Sequence, residues 1–149
     1  MLSLVVYGAG GLGREILYYT HQYNEIHGHY FIEGFIDDGI ETGKIVEGFP
    51  VLGGLDILKQ KNTPIAVVMG IAEPKTKRRL METLSENRMI SFPAILHPTA
   101  FVAKSAKIGE GVVLAPFTLV SLSTVVGRGV FVNVGTQLGH DVVVHDYCS

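Results

Sequence analysis

The stretch VAKSAKIGEGVVLAPFTLVSLSTVVGRGVFVNVGTQLGHDVVVH, residues 102–145, decides how the second half of the chain folds. Every sixth residue is aliphatic: Val102, Ile108, Leu114, Val120, Val126, Val132, Leu138 and Val144. The residues directly after them are Ala103, Gly109, Ala115, Ser121, Gly127, Asn133, Gly139 and His145, all small or turn-forming except the last. The residues two before are Ala100, Ala106, Val112, Thr118, Thr124, Val130, Thr136 and Val142, all small or β-branched. A helix repeats at 3.6 residues and a strand at 2, so neither gives a period of six. Glycine and β-branched residues are also too dense for a helix. A hexapeptide β-helix gives this period directly: each hexad is one short strand and a corner, with one aliphatic side chain turned inward. Residues 98–149 are therefore expected to form a left-handed parallel β-helix with three hexads per coil.

Upstream, the pattern alternates strand and helix. Leu2–Tyr7 is a continuous apolar run, as expected of a strand covered on both faces. Gly8 to Gly13 is a glycine-rich turn, and 14–24 carries Ile16, Leu17 and Thr20 at helical spacing. Residues 30–37 read as a second strand, 39–54 as turn-rich, 55–61 as a short helix and 64–70 as another buried strand. Pro74 opens a helix expected over 74–87, with Leu80, Met81 and Leu84 on one side, and 91–96 reads as a last short strand. The basic run Lys75, Lys77, Arg78 and Arg79 reads as a solvated helix face rather than a phosphate site. Strands separated by helices imply a parallel, Rossmann-like α/β domain over residues 1–97.

Composition narrows the function. The 149 residues carry 12 Lys+Arg against 14 Asp+Glu, a net charge of −2, which lacks the basic excess of a nucleic-acid binder. With 47% apolar and 17% charged residues the chain is not a disordered one. No apolar run reaches the ~20 residues of a membrane span, and the N-terminus lacks the basic start of a signal peptide, so a cytoplasmic location is the default expectation. Cys148 is the only cysteine, which leaves no disulfide framework and no CxxC site. It has no sequence partner that would make it a nucleophile and is expected to be buried or incidental.

Two places carry chemistry. Gly8-x-Gly10-x-x-Gly13 follows a strand and opens a helix, a context in which backbone N–H groups and the helix dipole favour a phosphate. Asp37 ends the second strand, where a carboxylate could accept from a ribose hydroxyl. A dinucleotide such as NAD ordinarily needs two such halves, and only one fits before residue 97. The plain alternative is that the glycines only permit a tight strand-to-helix turn. The second place is His140, two residues past the inward Leu138 and so at a corner projecting from the β-helix. Imidazole ordinarily titrates near neutrality, which suits a general base, and Asp141 directly follows to orient it. The alternative is that His140 and His145 are ordinary surface histidines.

The order of motifs is specific even where each is weak: GAGGLG at 8–13, Phe35-Ile36-Asp37-Asp38, Pro50-Val51-Leu52-Gly53, His97-Pro98, then hexads with Asn133 seven residues before His140-Asp141. Together they resemble the sugar O-acyltransferases of the sialic-acid O-acetyltransferase type, whose close relatives N-acetylate UDP-4-amino sugars. The resemblance spans nearly the whole chain. It implies acetyl-CoA as co-substrate, no metal, a UDP-amino sugar or sialic acid as acceptor for surface glycan synthesis, and a homotrimer with sites between subunits. It implies His140 as general base with Asp141 orienting it. Gly8, Gly10, Gly11, Leu12 and Gly13 would lie near the sugar nucleotide, Asp37 and Asp38 near its nucleoside end, and the Gly70–Pro74 loop beside them. Asn133 would shape the acceptor site, and Ser149 stands where the family has a histidine touching the acetyl group.

The chain departs from that pattern at its end. It stops inside a hexad after fewer than three coils, so a truncated acyltransferase is expected, with part of the coenzyme site absent. Two other readings follow. A chain without its coenzyme half would serve as a nucleotide-sugar-binding or assembly module. His140-x4-His145 also resembles the spacing of the trimeric zinc site in γ-class carbonic anhydrases, but the residues one and two coils below His140 are Leu122 and Lys104, which are not ligands of that kind.

Overall fold

The computed structural model describes residues 1–149 and divides them between an α/β sheet and a β-helix. The α/β part runs β1 (Leu2–Tyr7), α1 (Gly11–His27), β2 (Tyr30–Ile36), β3 (Ile45–Val46), β4 (Phe49–Gly53), α2 (Leu55–Lys59), β5 (Ile65–Met69), α3 (Pro74–Leu84) and β6 (Ile90–Ser91). The sheet order is β3-β4-β2-β1-β5-β6, parallel throughout except for the β3–β4 hairpin. Central β1 buries both faces, as its unbroken apolar run requires: Leu4 and Val6 point to the α1 side, Val5 and Tyr7 to the α2/α3 side.

The helix ends follow local chemistry. Gly28 closes α1 in the left-handed conformation, φ 65°, donating its N–H to Asn24 O. The Asn24 amide then clamps the start of β2, donating to Tyr30 O at 2.7 Å and accepting from Tyr30 N at 2.8 Å. Glu73 caps α3 by accepting from Lys75 N and Thr76 N, with Pro74 in the first turn. Those bonds and the nearby lysine hold the Glu73 carboxyl below its ordinary value.

Three sequence expectations change here. The stretch read as turn-rich contains β4, which pairs with β2 through Phe35 and Val51. The approach is close enough that a Cβ on Gly34, φ 149°, would be driven into the carbonyl oxygen of Pro50. Second, the single strand expected over 91–96 is two: Ile90–Ser91 completes the α/β sheet, while β7 (Ile95–Leu96) belongs to the first coil of the β-helix. Third, Lys77 does not lie on a solvated face. It is 1% exposed, on the same stripe of α3 as Leu80, Met81 and Leu84.

The β-helix holds β7 and eight more two-residue strands: β8 (Phe101–Val102), β9 (Lys107–Ile108), β10 (Val113–Leu114), β11 (Leu119–Val120), β12 (Val125–Val126), β13 (Phe131–Val132), β14 (Gln137–Leu138) and β15 (Val143–Val144). They stack into three parallel sheets, β13-β10-β7, β14-β11-β8 and β15-β12-β9. Paired residues lie 18 apart, as in Val113↔Phe131 and Val126↔Val144, so a coil is three hexads. The second residue of each strand points inward, and Leu114, Val120, Val126 and Val132 form the interior with Val112 and Val130. The first residue points outward. On the β13-β10-β7 sheet those residues, Ile95, Val113 and Phe131, are buried against the core beneath α1. On the other two sheets Phe101, Val125 and Val143 are exposed.

Candidate functional site

The glycine loop is built by mutual close approach. Gly8 has φ 101°, and a Cβ there would meet Gly70 O at 2.8 Å. A Cβ on Gly13 would run into Gly8 O, and one on Gly70 would lie 2.7 Å from Gly13 Cα. These three glycines bring the ends of β1 and β5 against the start of α1, a close approach that leaves no room for a Cβ. Gly10 and Gly11 differ: a Cβ on either meets nothing within 4 Å. They form the open N-terminus of α1, whose first N–H groups have no side-chain cap.

Beside this loop lies a cleft of about 500 Å³, lined by Gly8, Gly10, Asp37, Asp38 and Gly70 among the residues singled out in the sequence. That volume suits a small ligand. Leu12 is not in it; its side chain packs on the core under α1. Both Asp37 oxygens already accept backbone N–H groups, Oδ2 from Ala9 at 2.9 Å and Oδ1 from Gly39 at 2.8 Å. Asp38 is fixed as well, taking Tyr7 OH on Oδ2 at 2.5 Å and Leu55 N on Oδ1 at 2.8 Å. Burial first, then the bond to Asp38, holds the Tyr7 phenol well above its ordinary pKa, so it stays a donor. Each carboxylate oxygen keeps a second lone pair for a ligand.

Tyr7, Leu55, Thr76 and Arg79 also line the cleft, and the sequence reading missed them as a set. Thr76 and Arg79 sit three apart on α3, a spacing that puts them on one face. On the far side of Gly10 and Gly11, a second groove of about 400 Å³ carries Arg14 and Lys44.

His140 and Asp141 stand together on the β-helix, at the corner between β14 and β15, with His140 Nδ1 2.8 Å from Asp141 Oδ2. Asp141 adopts φ 60° and donates its N–H to Leu122 O one coil below, which fixes the corner. The side chains are 79% and 74% exposed, so the imidazole is open to a substrate. In the neutral ring, a tautomer that donates Nδ1–H to the carboxylate has Nε2 as its acceptor. The glycine-loop cleft and this pair lie on different parts of the molecule, and no single pocket contains both.

Asn133 and Ser149 share neither place. Both line a cavity of about 300 Å³ at the last coil, with Leu138 and Val144. The Asn133 side chain accepts from Val134 N, and Ser149 Oγ accepts from Lys77 Nζ at 2.7 Å. Cys148 is exposed rather than buried, and its carbonyl takes Phe131 N and Lys77 Nζ. His145 is exposed. No three side chains of His, Cys, Asp or Glu gather anywhere in a group that could hold a metal ion. No helix is long and apolar enough to cross a membrane.

Comparison with known proteins agrees with this architecture. A GDP-perosamine N-acetyltransferase of Escherichia coli O157:H7 is 30% identical over 145 residues, covering 97% of this chain and 65% of the relative, so the chain spans about two thirds of that protein's length. The acetyltransferase domain of PglB from Neisseria gonorrhoeae FA1090 superposes with TM-score 0.83 at 26% identity, over 99% of this chain and 69% of that one. The same domain is known in complex with acetyl coenzyme A, at TM-score 0.81. WeeI from Acinetobacter baumannii AYE matches with TM-score 0.80 at 26% identity, over 99% of this chain and 68% of its own. The PglD N-terminal domain model matches residues 3–84, more than half of the chain, and this protein belongs to that family.

Proposed function

We propose that this protein transfers an acetyl group from acetyl-CoA to the amine of a nucleotide-linked amino sugar. The observation that carries the reading is the His140–Asp141 pair, exposed on a fixed corner with Nδ1 2.8 Å from Asp141 Oδ2. The sugar amine attacks the thioester carbonyl carbon, and His140 Nε2 takes the amine proton as the N–C bond forms. The C–S bond then breaks, and the proton passes from His140 to the coenzyme thiolate. Asp141 keeps the imidazole in the required tautomer and stabilises its charged form. No acyl-enzyme is needed.

The glycine-loop cleft holds the nucleotide: the nucleoside lies against Asp37 and Asp38, and the diphosphate crosses Gly10 and Gly11 at the α1 N-terminus. Arg14 and Lys44 flank that crossing. N-acetylation is favoured over O-acetylation because the relative at 30% identity is an N-acetyltransferase. A nucleotide-linked amino sugar is favoured over free sialic acid because only the former uses the cleft. The reading includes a cytoplasmic reaction, the location expected from the sequence. The exposed apolar side chains of two β-helix sheets, Phe101, Val125 and Val143, and of the corners beside them, Phe117 and Leu122, support a homotrimer that buries them. Catalysis would then take place between subunits, which accounts for a cleft and a base that lie apart on one chain.

The test is acetyl transfer by the protein and its His140→Ala variant, followed by thiol release. The variant is expected to lose about 10²–10⁴-fold in kcat with an unchanged thermal melt. Retained activity overturns the assignment of His140 as base.

A further inference from the structure

The cleft holds opposite charges that do not neutralise each other. Arg79 lines it together with Asp37 and Asp38, yet takes part in no ion pair. The reason is that the carboxylates are already fixed. Asp38 is held by Tyr7 OH and Leu55 N, and Asp37 by Ala9 N and Gly39 N. Neither can swing to the guanidinium. A rigid acceptor edge and a free five-donor fork therefore face one space, flanked by the apolar side chains of Leu55, Ile71 and Leu80.

On the reading that the cleft takes a nucleotide, we propose that it selects guanine as the base, with Arg79 as the residue that determines the choice. Guanine presents two adjacent donors, N1–H and the N2 amino group, which suit a carboxylate. On its other edge it presents two adjacent acceptors, O6 and N7, which suit a guanidinium fork bidentately. The flat ring lies among Leu55, Ile71 and Leu80. Uracil satisfies the carboxylate with its single N–H but offers the fork only one carbonyl oxygen. Adenine and cytosine place a ring-nitrogen acceptor where guanine has N1–H, opposite an already negative oxygen, and an amino group where O6 should meet Arg79. The diphosphate is assigned to the uncapped N–H groups of α1 at Gly10 and Gly11, which leaves Arg79, on α3 beside Leu80, for the base.

Calorimetric titration of the purified protein with GDP, UDP, ADP and CDP tests this, in the wild type and in Arg79→Ala and Arg79→Lys. Arg79 is exposed, so neither substitution threatens folding. The wild type is expected to bind GDP at least about tenfold tighter than the other three. Arg79→Ala should remove that preference by weakening GDP while leaving UDP within about twofold. Arg79→Lys should recover little, because an ammonium cannot form the bidentate pair. GDP binding no tighter than UDP overturns the choice of base. Equal weakening of all four nucleotides in Arg79→Ala overturns it too, and makes Arg79 a phosphate ligand. Both of those results leave the cleft a nucleotide site, whereas failure of every nucleotide to bind overturns that reading along with this one.

Discussion

The glycines of the first loop look alike in the sequence and do different work. Gly8, Gly13 and Gly70 exist for backbone contact, because each leaves no room for a Cβ. Gly10 and Gly11 have open space beside them. Gly13→Ala is therefore expected to destabilise the protein by about 3 kcal/mol or more, since Gly8 O cannot retreat without moving β1. Gly10→Ala should leave the thermal midpoint within a degree or two and weaken nucleotide binding where backbone meets phosphate. Paired thermal melts and nucleotide titrations separate the two roles; a stable Gly13→Ala variant contradicts the close-contact argument. The Asp37–Asp38 pair was visible as chemistry at the end of a strand. That both side chains are tied down by backbone and Tyr7 donors was not, because those donors come from residues far away in sequence.

At the scale of the element, the period of six proved the most informative pattern in the chain. It sets the 18-residue coil and separates inward from outward side chains. Val126 is 1% exposed inside the prism, and its neighbour Val125 is 38% exposed outside it. Val126→Ala is expected to cost about 2–3 kcal/mol in a urea melt, and Val125→Ala less than about 1 kcal/mol. Equal costs would contradict the phase of the repeat. The corners were harder to read. From Gly111 onward every sixth residue has positive φ: Gly111, Phe117, Ser123, Gly129, Gly135, Asp141 and Tyr147. Phe117 and Tyr147 are poor turn residues, so identity alone does not mark the corner; the coil imposes it. Strand β4 was missed for a related reason. Its Pro50, Gly53 and short length suggest turns, and only pairing with β2 makes it a strand.

At the scale of the molecule, the α/β part and the β-helix meet along a seam of polar latches set in apolar contact. Lys77 reaches from α3 to Cys148 O and Ser149 Oγ. Arg128 joins Glu110, Tyr147 OH and Ser85 Oγ while lying over Phe92. His97 bonds Gln22 of α1 through Nε2 and Thr99 through Nδ1, and burial lowers its pKa. Burial lowers Lys77 to about 8 from an ordinary 10.5. The unfolded chain therefore keeps this proton between pH 8 and 10.5 while the folded chain has released it. Stability from this group rises with pH across that window and is lowest below pH 8. In urea melts at pH 8 and pH 10, the wild type should gain relative to Lys77→Met, by on the order of 2 kcal/mol after solvent screening. A pH-independent difference between the two proteins would mean that Lys77 keeps its ordinary titration in the seam.

What the sequence determined by itself was everything carried by short-range periodicity: a strand–glycine turn–helix start, an α/β half, a hexapeptide β-helix, and a histidine and aspartate side by side on one corner. These patterns depend on neighbours within a few residues, and side-chain direction follows directly from spacing. Tertiary structure alone decided which glycines are structural, that Lys77 is buried, that β7 joins the β-helix, and that Arg79 shares a cleft with two pinned carboxylates. Each of those depends on contacts between segments tens of residues apart, where burial and hydrogen-bond partners are set by how the sheet, α3 and the coils pack. Lys77 shows the boundary between the two. Its place on the Leu80–Met81–Leu84 stripe was there to be read, but a lysine on an apolar stripe ordinarily snorkels to water, and only the coil packed over α3 closes that route.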